Sequence, residues 1–376
     1  MTRQHGTFLD QIAMLPRALR DFVWPIEERA RKAIDTPSAY RVRQIILIGS
    51  GDSHCAALAA VPAARAWTGL PVFAMPAMEA ARYLDLGRTD SAHGTLAVIV
   101  SASGAGARII EAARRLTAAG ALTLAVTSAP DSPLAEAASR TMCLPPVAPG
   151  MMPGTTSCMI SLLGLMLLAI RIAEVRLRMS MDDAGRQRQA IADLADVMEA
   201  AWSDCAAAAR RFAARVHAAQ RVDCLGSGPA FGSAAFLAAK LTEGVGLHAV
   251  TQDTEEFCHL NFFCAEPQLL PTILFGTGTG ARATRDAEVA DAIVAQQRPF
   301  LLITDHAGPR DEALVLPPVD EGLAPLLHLL PASLVAAFWA EAAGSVPFRG
   351  HSGPWAAARD AALVRRSTVL IREAQS

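Results

Sequence analysis

Short, nearly continuous apolar runs alternate along the chain with longer stretches in which apolar residues return every third or fourth position. The runs read as buried strands, and the longer stretches as helices packed on them. After one or two helices over residues 1–38, strands are expected at Arg43–Ile48, Pro71–Ala74, Thr95–Val100, Ala121–Val126 and Thr141–Leu144. Between them, helices are expected at His54–Trp67, Ala107–Ala119 and Pro133–Ala138. A glycine- and proline-containing loop, Pro149–Gly154, leads into an apolar helix, and a charged helical stretch follows over Met181–His217. The plan then restarts, with strands at Arg221–Leu225, Leu247–Val250, Pro271–Phe275 and Phe300–Thr304. Helices are expected at Ala230–Glu243, Arg285–Gln296 and Leu326–Glu341. This alternation predicts an α/β fold of doubly wound parallel sheets covered on both faces. Gly49-Ser50-Gly51 and Gly226-Ser227-Gly228 head comparable strand–turn–helix units, which points to a tandem duplication. The expected division is an arm at 1–38, a first domain at 39–180, a connecting helix at 181–217, a second domain at 218–345 and a tail at 346–376 that completes the site.

Composition narrows the function classes. Of 376 residues, 52% are hydrophobic and 19% charged, which excludes disorder, and a formal charge of −2 gives no attraction for a polyanion. Nucleic acid is therefore not an expected partner. Asp10, Arg17 and Arg20 interrupt the N-terminal segment, so it lacks an apolar signal core. The most apolar run, Cys158–Ile170, falls short of the roughly 20 residues that cross a bilayer. It reads as a helix buried in the core or between subunits, and no membrane partner is expected. Seven cysteines without a CxxC pair fit reduced thiols in a cytoplasm rather than a disulfide framework or zinc site, so no metal is expected.

Candidate chemistry concentrates in two places. Three hydroxyl-bearing segments, Ser50–Ser53, Ser101–Ser103 and Thr155–Ser157, each precede a helix in the first half. Helix N-termini offer unpaired amides and a positive dipole end, and in a parallel sheet such turns gather at the carboxyl ends of the strands. N-capping explains any one of them; three together with glycines point to an anion site. The second place is Lys240–His259. Only two lysines occur in the chain, Lys32 and Lys240. Lys240 and Glu243 share one helix face, and Glu256 and His259 follow at the same spacing. A cation, carboxylates and an imidazole supply charge, a base and a proton shuttle. The competing readings are an exposed ion pair for Lys240–Glu243, a capping box for Asp253–Glu256, and a core histidine for His259. No cofactor is expected: Gly49-Ser50-Gly51-Asp52-Ser53-His54 lacks the third glycine of the dinucleotide fingerprint, and Phe231 fills that place in the second unit.

The two glycine–serine turns, Ser101-Ala102-Ser103-Gly104 and the repeated plan resemble the sugar isomerase (SIS) domain. Two copies in tandem resemble the isomerase half of glucosamine-6-phosphate synthase and the fructosamine-phosphate deglycases. Position 2 is Thr and only the arm precedes the first sheet, so glutamine hydrolysis is not expected. The synthase pattern Lys-x-x-Glu, followed by a second Glu and a His, is met by Lys240-Leu241-Thr242-Glu243 and Glu256-Phe257-Cys258-His259. The resemblance implies that Glu243 moves a proton between C1 and C2 of an open-chain sugar, with Lys240 holding the enediolate charge. It implies that His259, from a neighbouring subunit, helps open the ring, with Glu256 as the second carboxylate, and hence a homodimer with a shared site. Gly51, Asp52, Ser53, Ser101, Ser103, Gly104, Thr155 and Thr156 would bind the anionic end.

Departures bear on the substrate. The family's Ser-Gln-Ser-Gly-Glu-Thr is Ser101-Ala102-Ser103-Gly104-Ala105-Gly106 here, without the Gln and Thr donors. Asp52 replaces a Thr; a like charge ~4 Å from a phosphate would cost about 4 kcal/mol at an effective dielectric of ~20. The synthase lysine that contacts the sugar carbonyl matches Arg366, which cannot form an imine. The expected activity is therefore aldose–ketose isomerisation, deamination or deglycation of a phosphosugar or related anionic or amino sugar through an enediol or enediolamine. A non-catalytic sugar-phosphate-binding regulatory protein is the alternative.

Overall fold

A computed structural model describes residues 7–86, 90–146, 152–306, 313–347, 354–355 and 364–370. The expected loop residues Pro149–Met151 and most of the expected tail lie outside these residues. The chain opens with helices α1 (Phe8–Ala33) and α2 (Thr36–Arg41). The first sheet region follows as β1 (Gln44–Gly49), α3 (Asp52–Thr68), β2 (Val72–Pro76), α4 (Ala77–Arg82), α5 (Asp90–His93), β3 (Thr95–Val100), α6 (Ala107–Ala118), β4 (Leu122–Thr127), α7 (Pro133–Ala137), β5 (Arg140–Cys143) and α8 (Thr156–Val175). A long helix, α9 (Met181–Val216), leads to β6 (Arg221–Leu225), α10 (Pro229–Gly244), β7 (His248–Gln252), α11 (Thr254–His259), β8 (Thr272–Phe275), α12 (Ala283–Ala295), β9 (Phe300–Thr304), β10 (Ala313–Val315) and α13 (Ala324–Ala342). The expected strands are present within two residues at either end, and β10, α4, α5 and α11 are additional.

Every neighbouring strand pair is parallel, and the two sheets run β2-β1-β3-β4-β5 and β7-β6-β8-β9-β10. Both thus have the same order, with the switch point between the first and third strands. Burial explains the sequence pattern: β3 is buried at every position, as a strand covered on both faces must be.

The chain forms two compact units: one comprises Ala18–Pro149, Thr156–Asp193 and Pro354–Ser376, the other Met1–Arg17, Gly150–Thr155 and Leu194–Gly353. Helices α8 and α13 are long and apolar enough to cross a membrane, yet 89% of the apolar stretch in each is buried in protein. Within its own unit α8 packs on α3, and α13 on α10. The apolar run at 158–170 is therefore covered inside the chain, the first of the two places expected for it.

The glycines of the two Gly-Ser-Gly turns have distinct jobs, repeated in both units. A Cβ at Gly49 would stand 2.6 Å from the Ser53 carbonyl carbon, and one at Gly226 would stand 2.6 Å from the Ala230 oxygen. The helix therefore starts directly against the strand end. Gly51 and Gly228 take φ/ψ of 55/−130° and 57/−131°, which a side chain would strain.

Candidate active site

At the carboxyl ends of β1 and β3, the switch point of the first sheet, lies a crevice of about 560 Å³. Ser50, Ser101, Ser103 and Gly106 line it together with Arg82, Arg108 and Arg365. The Ser101–Gly104 turn is fixed by the segment after β4 and by α7: Ser128 N–H donates to the Ala102 carbonyl at 3.2 Å, and Leu134 N–H to that of Gly104 at 3.1 Å. Gly104, at φ 59°, lies so close to Ser132 that a Cβ would meet its Oγ at 2.0 Å. Gly51, Asp52 and Ser53 form the β1–α3 turn but are not among the crevice-lining residues. Asp52 is the first residue of α3, where the helix dipole favours a carboxylate.

Sequence reasoning missed the arginines. The buried Glu111 carboxylate pairs with Arg82 at 3.1 Å and Arg108 at 2.5 Å. Arg108 donates to Ser367 Oγ at 3.1 Å and to the Thr368 carbonyl, which Arg82 also reaches at 3.3 Å. Ala107 N–H, at the start of α6, donates to the Val364 carbonyl at 2.9 Å. Residues 364–368 are thereby latched along one wall of the crevice. Within that tail Arg365 lines the crevice, whereas Arg366 is exposed and does not. A signal was present: a cation in the first turn of α6 opposes the helix dipole.

In the other unit, Lys240 is fully buried and its Nζ donates to Glu243 Oε2 at 2.6 Å, while the Glu243 side chain is 38% exposed. The ammonium also stands 5.4 Å from the Phe236 ring centre. An ordinary exposed pair is excluded: a buried cation holds a carboxylate that opens to solvent. At the same helix end, a Cβ at Gly244 would meet Phe8 at 3.5 Å and Pro153 at 3.8 Å, which brings the Pro153–Thr155 loop beside the pair. Thr155 is fully buried and its Oγ1 meets no hydrogen-bond partner among the described residues, and Thr156, the first residue of α8, is also buried.

His259, at the end of α11, is 65% exposed and meets Glu255 Oε1 at 3.1 Å, so it is not a core histidine. Arg285 joins Glu255 at 2.7 Å, and the His259 hydrogen bond chiefly, with the Arg285 charge, lowers the Glu255 pKa. Glu256 is exposed, and the Asp253 cap is closed by Glu255 N–H at 2.8 Å. The segment after His259 is tied down from inside. Buried Arg298 donates to Asp223 Oδ2 at 2.8 Å and to the Asn261 carbonyl at 2.5 Å, and Asn261 donates to Asp223 Oδ1 at 2.9 Å. Burial raises the Asp223 pKa against the opposing pull of Asn261 and Arg298. Leu260 and Phe263, on either side of Asn261, are exposed.

The end of the second sheet differs from the first. Ser227 Oγ donates to Asp253 Oδ2 at 2.6 Å, and Thr277 and Gly278 are held by the carboxylates of Asp286 and Asp305. His328 in α13 is buried against Ser233 at 3.0 Å, and burial pushes its pKa down to about 3.

Comparison with known proteins agrees with this fold. A family model described as the SIS domain matches residues 39–171. No curated protein matches the chain. Among solved structures, the C-terminal domain of glucosamine-fructose-6-phosphate aminotransferase from Francisella tularensis superposes with a TM-score of 0.81 at 14% identity, over 93% of this chain and 99% of that one. Tagatose-6-phosphate ketose/aldose isomerase from Escherichia coli gives 0.73 at 19% identity, over 93% and 98%. Glucosamine-6-phosphate deaminase from Thermotoga maritima gives 0.68 at 17% identity, over 91% and 95%. At these identities the likeness is one of fold.

Proposed function

We propose, for a chain whose residues 39–171 match the SIS domain, that it is a sugar-phosphate isomerase, or a deaminase or deglycase working through the same enediol or enediolamine. The observation that carries this reading is the Lys240–Glu243 pair, a carboxylate open to solvent held at 2.6 Å by a buried ammonium. Glu243 takes the proton from C2 of the open-chain sugar and returns it to C1, while the hydroxyl proton passes from O2 to O1. Lys240 stabilises the negative oxygen that develops between these steps. The second half of the chain acts as a second SIS-type domain, in keeping with its identical strand order.

The first crevice suits an anionic group such as a phosphate, since Ser101 and Ser103 offer hydroxyls there and the arginines supply positive charge. His259 serves ring opening. Its exposure, beside the exposed Leu260 and Phe263, suits a site shared with a second copy of the chain, with Glu256 as the accompanying carboxylate. Arg365 or Arg366 takes the tail's part.

The test is a thermal-shift panel of phosphorylated, sulfonated, aminated and Amadori-type sugars, followed by proton-exchange NMR on those that bind. Glu243→Gln should abolish solvent exchange at C2 and keep binding; full exchange in that variant removes Glu243 from the role. Ala102 and Gly106, in place of side-chain donors, favour a second reading, a regulatory protein that binds a sugar phosphate without converting it. Saturable binding with no turnover across the panel would select it.

A further inference from the structure

The shared strand order makes the turn after β8, Gly276–Gly280, the counterpart of the Ser101–Gly104 turn after β3. Their donors are used differently. In the second crevice Gly278 N–H donates to Asp305 Oδ1 at 2.7 Å, and Thr277 Oγ1 donates to Asp305 Oδ2 at 2.8 Å. The preceding amide, Thr277 N–H, is taken by Asp286 Oδ2 at 3.1 Å. Consecutive amides of such a turn form a concavity suited to an anion, and here both are filled by carboxylates of the chain itself.

Asp305 follows β9 directly, and the residue in that place after β4 is Ser128. The Ser128 hydroxyl turns away, donating to the Pro145 carbonyl at 3.0 Å. A neutral group leaves the first turn to a ligand; a charged one closes the second. Local charge agrees. In and around the first crevice stand the guanidiniums of Arg82, Arg108 and Arg365 with the carboxylate of Glu111. In and around the second stand the carboxylates of Asp286, Asp305 and Glu321 with the guanidinium of Arg282. The space remaining there is about 70 Å³, against about 560 Å³ in the first.

We propose that Asp305 is a built-in anion. Its carboxylate occupies the second crevice where the first accepts an anionic ligand, so of these two crevices the first is the one left to such a ligand. This rests on the reading of the first crevice as the anion site, but not on Glu243 or on turnover.

The test is chemical rescue. Asp305→Ala should lower the thermal midpoint by about 3–10 °C through loss of charge-assisted hydrogen bonds. Sodium formate, against sodium chloride at equal ionic strength, should then restore a substantial part of that loss in Asp305→Ala while leaving wild type and Asp305→Asn unmoved. An equal formate response in all three proteins overturns the proposal. Should Asp305→Ala not fold, wild-type crystals soaked in selenate decide. Selenium density on Thr277–Gly278 overturns the proposal, and its absence there supports it.

Discussion

Lys240 is wholly enclosed, and its ammonium lies 2.6 Å from a Glu243 carboxylate that keeps 38% of its side chain in solvent. Burying an ion is costly, and an apolar side chain of similar size is often as stable or more so. Lys240→Met is therefore expected to fold with unchanged or slightly raised stability while proton exchange falls ~10²–10³-fold. Urea denaturation and exchange NMR on one preparation separate the two effects. Lost stability with retained exchange would make Lys240 a core residue only.

The paired glycines give a second prediction. Gly49→Ala and Gly226→Ala push a Cβ into the backbone of the following helix, at 2.6 Å in each case. Gly51→Ala and Gly228→Ala meet no atom of the described residues within 4 Å but must hold φ near +55°. The second pair should cost about 1–3 kcal/mol each, and the first pair more, because backbone cannot move aside cheaply. Denaturant midpoints for the four variants rank them, and an order reversed in both units would refute the division of labour.

The Asp223–Arg298 pair should matter through the segment it anchors. Arg298→Ala leaves a buried carboxylate without its guanidinium and frees the Asn261 carbonyl, at an expected cost of about 3–5 kcal/mol. Replacing both, as Asp223→Leu with Arg298→Met, should recover most of that loss. Hydrogen exchange should quicken over residues 254–263 in the single variant.

A pH effect follows from His328. Its pKa of about 3 in the fold lies below the ordinary 6.5, so under acid the unfolded chain takes a proton that the folded chain refuses. This group contributes nothing above pH ~6.5 and removes up to about 4 kcal/mol as pH falls toward 3. Asp286 has the opposite sign: burial chiefly raises its pKa to about 6, so its protonation favours the fold as pH drops from about 6 to below 4. His328→Gln should therefore gain on wild type by about 1 kcal/mol per pH unit below ~6, measured by denaturation from pH 7 to 4. A constant difference across that range would show that His328 does not titrate there.

Much of the framework was legible in the sequence because parallel strands buried on both faces leave unbroken apolar runs, such as Thr95–Val100. β10 was not, since Ala313–Val315 is too short for a period to show. α11 showed only through the capping-box reading of Asp253–Glu256, since six residues, Thr254–His259, are too few for a helical period. In the site, spacing put Lys240 and Glu243 on one face but could not tell that one is enclosed and the other open. Asp305 escaped notice because a lone aspartate after a strand resembles any turn residue; its meaning comes from Thr277 and Gly278, distant in sequence. Arg82 and Arg108 were hidden likewise, meeting only through Glu111 and the tail.

The carbonyl of Val364 on the amide of Ala107 has a practical side for anyone engineering the gene. Deletions ending ahead of Val364 would strip a side from the crevice and leave the start of α6 bare to water. Loss of binding in a shortened protein would then report a dismantled pocket, even where the remaining core still melts as a unit.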